Sequence, residues 1–183
     1  MAEATTRRAL LRHYDAVEAS LRETLASACR VTASPEAADE GRTEDESADG
    51  ALLVIISLVG DLEWSVFLGF PRRTAVAIGE RFFGAPLAFE SDDLSDCIGE
   101  LGNIFAGELR ARLERRGVAA EMSLPIVMRG AGIHLFVGRS CPNDGRFTKT
   151  EFGRLWCKVV SGKEGPSSGR PAPGTDPTGT ILS

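Results

Sequence analysis

The sequence is short of the residues that usually mark a metal or redox centre. It holds two histidines and four cysteines in 183 residues. Cys29, Cys97, Cys141 and Cys157 are widely spaced with no CxxC pair. His13 and His134 do not complete a ligand set at metal-ligand spacing, so no zinc site is expected. The cysteines read as free thiols of a reducing compartment. Long apolar runs are also missing: the longest, residues 51–56, falls far short of the roughly 20 residues that cross a bilayer. The opening MAEATTRRALLR has no apolar core before a small-residue cleavage site, so no secretory leader is expected and the chain is placed in the cytoplasm. Positive charge is scarce as well. Lys and Arg total 21 against 26 Asp and Glu, a net charge of −5, which argues against nucleic acid as a partner.

The acid is unevenly placed. Between Ser34 and Gly50, Glu36, Asp39, Glu40, Glu44, Asp45, Glu46 and Asp49 face a single base, Arg42. That segment carries −6 and the rest of the chain +1. Its low apolar content predicts a solvated loop over 34–50. Residues 162–183 hold five glycines and four prolines and read as a disordered tail beyond a domain over 1–161. Hydrophobic residues at 43% are ordinary for a globular domain.

Apolar spacing predicts the elements. Leu10, Tyr14, Val17, Leu21, Leu25 and Cys29 mark a helix over about 6–30. Leu52 to Val59 is a nearly continuous apolar strand, as if covered on both faces. It turns at Gly60-Asp61 into an alternating strand from Leu62 to Phe70. A short helix runs from Pro71 to Gly84. A third helix starts at Ser91, with Asp92 and Asp93 in its first turn, and ends near Gly117. Strands over 122–129 and 132–139 are expected to meet at Gly130-Ala131-Gly132, and a last strand, 154–161, to follow a loop at Pro142-Asn143-Asp144-Gly145. The first and third helices share one apolar spacing, displaced by 84 residues, while the turns at Gly60 and Gly130 lie 70 apart. An acidic insertion accounts for the difference. The expected fold is a single α+β domain of two pseudo-repeated helix–β-hairpin units, with a mainly antiparallel sheet packed against helices.

The third helix carries the chemistry. Its stripe of Leu94, Ile98, Leu101, Phe105, Leu109 and Leu113 faces inward; Asp96, Glu100, Asn103, Gly107 and Arg110 fall opposite. Gly99, Gly102 and Gly107 inside a helix each cost about 1 kcal/mol relative to Ala. Close approach of another backbone, from the same fold or from a partner, would justify them. Asn103 is one of only two asparagines, and the chain has no glutamine. Asn prefers caps to helix interiors, yet Asn103 stands mid-helix one turn after Glu100. A carboxamide both donates and accepts, which suits it to orient a water; a plain polar surface pair is the other reading.

These residues resemble the CheX-like branch of the CheC/CheX/FliY chemotaxis phosphatases. The resemblance rests on Asp96-x-x-x-Glu100-x-x-Asn103-x-x-x-Gly107, then Ser123-Leu124-Pro125-Ile126-Val127 and Gly130. Gly60-Asp61-Leu62-Glu63, Ser65, Phe70-Pro71 and the run from Phe147 to Lys158 also fit, and the likeness covers about 8–161. The acidic segment and the tail fall outside the pattern.

The resemblance implies hydrolysis of the phospho-aspartate on a CheY-like response-regulator receiver. Glu100 would pair with a receiver lysine and fix the docking, and Asn103 would orient the attacking water. Asp96, Gly99, Gly107 and Arg110 would border the partner. The chain would need no cofactor of its own, since Mg2+ would belong to the receiver. The first helix has Ala16 and Ala19 where the third has Glu100 and Asn103, so one active face per chain is expected. A homodimer is implied too, with no nucleic-acid or membrane partner. The alternative is a non-catalytic receiver-binding adaptor or flagellar-switch-like module on the same fold.

Overall fold

The computed structural model describes residues 2–36, 48–138 and 141–162, with side chains from Arg12 onward. Most of the acidic segment, 37–47, and the expected disordered tail from residue 163 lie outside the described residues.

The chain order is α1 (Ala2–Cys29), β1 (Ala33–Glu36), β2 (Ala51–Gly60), β3 (Trp64–Pro71), α2 (Arg72–Phe83), α3 (Asp92–Glu114), β4 (Ala120–Met122), β5 (Ile126–Gly130), β6 (Asn143–Thr150) and β7 (Gly153–Ser161). The strands form one antiparallel sheet in the order β1-β6-β7-β3-β2-β4, with β5 following β4 along the same edge of β2. The α+β expectation holds. Helices pack on one sheet face, where Leu52, Val54, Ile56 and Leu58 of β2 meet the apolar sides of α1 and α3 in a single core. Tyr14 of α1, fully buried, donates its hydroxyl to the Cys157 carbonyl of β7 at 2.9 Å. The opposite sheet face carries a smaller cluster, Leu53, Phe147 and Trp156, with Ile55, Phe67, Ile133 and Leu135 against it. That second layer is why β2 reads as unbroken Val, Ile and Leu. Trp156 lies across β3 so closely that a Cβ on Gly69 would sit 1.9 Å from the indole.

Three expectations fail. The predicted strand 132–139 has no ladder: 131–138 is irregular, and residue 139 lies outside the described residues. Its alternation is real, with Ile133 and Leu135 turned inward. They cover the open sheet face instead of extending an edge. Alternation reports which side chains are buried, not whether the backbone has a partner strand. Conversely, the predicted loop at Pro142–Gly145 already opens β6 at Asn143, and Ser34, Pro35 and Glu36 of the predicted acidic loop belong to β1, paired with Lys149, Thr148 and Phe147.

The repeat is present, but its second hairpin is β6–β7 rather than a turn at Gly130. The hairpin connections 61–63 and 151–152 are displaced by nearly the same distance as the two long helices. Each unit is helix, edge strand, hairpin, and each edge strand pairs with the other unit's hairpin: β1 with β6, β4 and β5 with β2.

Candidate functional site

Helix α3 forms where capping and the apolar stripe agree, against the propensity of its interior glycines. Ser91 is extended at the N-cap, and its Oγ accepts from the Leu94 amide at 3.2 Å. Asp92 and Asp93 place carboxylates at the positive end of the dipole. Leu94, Ile98, Leu101, Phe105, Leu109 and Leu113 are buried. The opposite line, Asp96, Glu100, Asn103, Gly107 and Arg110, is exposed throughout, with Gly99 half-buried beside it. The structure therefore gathers all six residues on one accessible strip of one helix.

At its centre, Asn103 Nδ2 donates to Glu100 Oε2 at 3.0 Å. Arg110 is engaged further along, its Nε donating to Glu114 Oε1 at 2.8 Å. The arginines at the helix end tie α3 to α1. Arg116 makes a two-pronged bond to Asp15 at 2.7 and 2.6 Å, and Arg112 lies 4.0 Å from Glu23.

The helix glycines separate into three cases. A Cβ at Gly102 would stand 2.9 Å from Val54 Cγ1 and 3.1 Å from Pro125 Cβ, so this glycine lets α3 settle on β2 and on the bend before β5. At Gly99 a Cβ would make an ordinary contact with Val127 Cγ2 at 3.4 Å. At Gly107 it would meet nothing within 4 Å. Packing within the chain explains Gly102 and leaves Gly107 without a use inside the described residues.

The bend is itself fixed. Ser123 exchanges two bonds with Ser57, its amide donating to the Ser57 carbonyl at 2.9 Å and its Oγ accepting from the Ser57 amide at 3.0 Å. Arg129 on β5, which no spacing in the sequence marks, reaches back to the start of α3. The only trace of it is its place on the same strand face as Pro125 and Val127.

The thiol beside the strip is not an activated one. Cys97, next to Asp96, has its thiol raised above the ordinary range by burial and by the Asp93 and Asp96 carboxylates. Burial also pushes Cys29 up to about 11 and Cys157 up to about 12. Among the described residues no group of three His, Cys, Asp or Glu side chains could hold a metal ion, and no helix is long and apolar enough to cross a membrane. On α1, Ala16 is fully buried and Ala19 half-buried, so the two positions displaced by 84 from Glu100 and Asn103 carry neither functional group. What the α3 strip can do is present a carboxylate and a carboxamide, already bonded to each other, to a surface that approaches closely.

The sequence profile of the chemotaxis phosphatase CheX family matches residues 52–142, a stretch that includes Glu100, Asn103 and Pro125. The CheY-P phosphatase CheX of Thermotoga maritima is 30% identical over 86 residues, 46% of this chain and 56% of that protein. The match thus spans about half the length of that relative. CheX from Desulfovibrio desulfuricans superposes with a TM-score of 0.68 at 16% identity, over 82% of this chain and 99% of that one. A CheX from Borrelia burgdorferi, solved as a CheX–CheY–BeF3–Mg2+ complex, superposes with a TM-score of 0.62 at 13% identity, over 81% and 97%. The chain is CheX-like: its central stretch matches the CheX profile, and its fold is that of the CheC/CheX/FliY proteins.

Proposed function

We propose that this CheX-like chain accelerates hydrolysis of the phospho-aspartate on a CheY-like response-regulator receiver, using the exposed strip of α3. The observation that carries the reading is the Glu100–Asn103 pair, bonded at 3.0 Å on the uncovered side of a capped helix. The relative from Thermotoga maritima is a CheY-P phosphatase, and the Borrelia protein was captured with CheY, BeF3 and Mg2+. Both support the assignment of substrate.

In this reaction water attacks phosphorus in line, the bond from phosphorus to the aspartyl oxygen breaks, and the carboxylate leaves with its electron pair. Such a transfer asks for positioning and electrostatics rather than a covalent intermediate. Glu100 meets a receiver lysine and sets the docking. Asn103 bonds the water and holds it on the attack line. Asp96, Gly99, Gly107 and Arg110 border the receiver, with Gly107 allowing its loops to come near. The receiver brings the Mg2+ that offsets phosphoryl charge, and this chain needs no cofactor of its own. The working unit is the domain over 1–161, a cytoplasmic homodimer with one active face per protomer. The exposed apolar residues Leu124, Ile126 and Met128 at the β4–β5 edge support the dimer.

The test adds the purified chain to receivers phosphorylated with a small phosphodonor and follows loss of the phosphoryl group. The expected result is faster loss, returning to the intrinsic rate in Asn103→Ala with the fold intact. Undiminished catalysis by that variant overturns the role of Asn103. Binding without acceleration by the unaltered chain replaces the phosphatase with a receiver-binding adaptor.

A further inference from the structure

Strand β5 runs along α3 with every second residue turned toward it. Pro125, just before the strand, packs on Gly102, and Val127 packs on Gly99. Arg129 reaches the start of the helix: Nη1 donates to the Glu90 carbonyl, and Nη2 donates to the Ser91 carbonyl and to Ser95 Oγ. Asp92 Oδ1 lies 3.9 Å from the same Nη2. Residues 125, 127 and 129 thus meet α3 and its N-cap successively at 102, at 99 and at 91–95. The first two contacts are van der Waals contacts, which have no fixed direction. The third is a planar fork with fixed donor directions, and it grips a carbonyl before the helix, the N-cap carbonyl and a side chain of the first turn.

The loop entering α3 is held from the other side as well. Arg72 donates to Glu90 Oε1 at 2.6 Å and lies 4.4 Å over the Phe89 ring. Both partners of that pair are well exposed, and exposed ion pairs contribute little. The Arg129 side chain is only 25% exposed, so its bonds compete less with water.

We propose that Arg129 is a positioning residue for the phosphatase reaction: by locking the first turns of α3 to β5, it sets the rotation and axial place at which Glu100 and Asn103 are offered to the receiver. This rests on the reading of the α3 strip as the face that works on a phosphorylated receiver. Ser95 precedes Glu100 by about 7.5 Å of helix. A misplacement of about 1 Å in such an arrangement can lower a rate a hundredfold. A lysine keeps the charge but has no fork, so it does not fix the direction.

The experiment compares the full chain with Arg129→Met, Arg129→Lys and Asn103→Ala. Steady-state dephosphorylation of a receiver is measured alongside amide hydrogen exchange over residues 92–98 of the free proteins. The expected result is that both Arg129 variants stay folded, lose at least tenfold in kcat with KM changed less than threefold, and exchange faster over 92–98. Wild-type kcat in Arg129→Met, or its full recovery in Arg129→Lys, overturns the proposal while loss of activity in Asn103→Ala upholds the phosphatase reading. If the unaltered chain is inert toward phosphorylated receivers, the phosphatase reading fails. Exchange then decides the anchoring separately: unchanged protection over 92–98 in Arg129→Met overturns it, and lost protection upholds it.

Discussion

The side-chain amide of Asn103 donates to the Glu100 carboxylate at 3.0 Å across one turn of α3. The bond has a direction. It commits the amide nitrogen to the carboxylate and leaves the carbonyl oxygen as the acceptor, the end that can take a hydrogen from water. Glu100 therefore has two tasks, its charge toward a partner and its orienting bond to Asn103.

Those tasks can be separated. Glu100→Gln keeps an acceptor for Asn103 but loses the charge, so KM for a phosphorylated receiver should rise about tenfold or more with kcat largely kept, a loss equivalent to about 1.4 kcal/mol of binding. Glu100→Ala removes both and should lower kcat as well. Equal kcat in the two variants would show that the bond to Asn103 does not orient it.

Alanine at two glycines of α3 should act in opposite directions. Gly107→Ala enters open space and gains about 1 kcal/mol of helix propensity, raising Tm by about 2–4 °C for a chain of this size while slowing receiver dephosphorylation. Gly102→Ala drives a methyl into Val54 and Pro125 and should lose about 1–3 kcal/mol. Thermal melts and turnover on the same preparations check both. A Gly107→Ala protein with unchanged turnover would remove that glycine from the docking surface.

Stability should fall as pH drops below neutral, through His13. Burial lowers its pKa below 6.5, with Arg116 and Arg12 adding to the shift, and its Nδ1 is buried without a hydrogen-bond partner. The folded state thus prefers the neutral ring. Its contribution is complete above pH 6.5 and declines as pH falls from there toward the lower folded value. Denaturant melts at pH 7.5 and pH 5.5 should show a loss that His13→Asn reduces. An identical loss in the variant would assign it to other groups.

The four thiols should label in an order set by burial. Cys141 is half-buried, whereas Cys29 and Cys157 lie in the core with their thiols pushed up to about 11 and about 12. Iodoacetamide at pH 7.5 should modify Cys141 first, and Cys29 and Cys157 only on unfolding. Rapid labelling of either core thiol in the folded protein would contradict the packing of α1 on the sheet.

The helix that matters was legible because local and tertiary demands coincide there. The Ser91 cap, the first-turn aspartates and the Leu94–Leu113 stripe all point to one element, and the polar residues left over are the exposed strip. The strands around it were less legible. Ile133 and Leu135 alternate like a strand because they cover a sheet face, and Asn143-Asp144-Gly145 reads as a turn although β7 draws it into a ladder. Arg129 was invisible because its role depends on where β5 lies against α3, a distance along the chain of 34 residues to Ser95. Sequence pattern reports burial faithfully. It does not report which neighbour supplies it.

The exchange of edge strands makes the two halves of this chain mutually dependent. A fragment ending near Gly84 would keep β1 without β6 to receive it, and the remainder would keep β5 without β2. Each piece alone should be insoluble, yet the two expressed together should reassemble across an exposed junction at 84–86. The α3 strip lies on the second piece while the strand beneath it, β2, lies on the first. Phosphatase activity would then appear only on complementation, turning receiver dephosphorylation into a reporter of whether two separately made polypeptides have met.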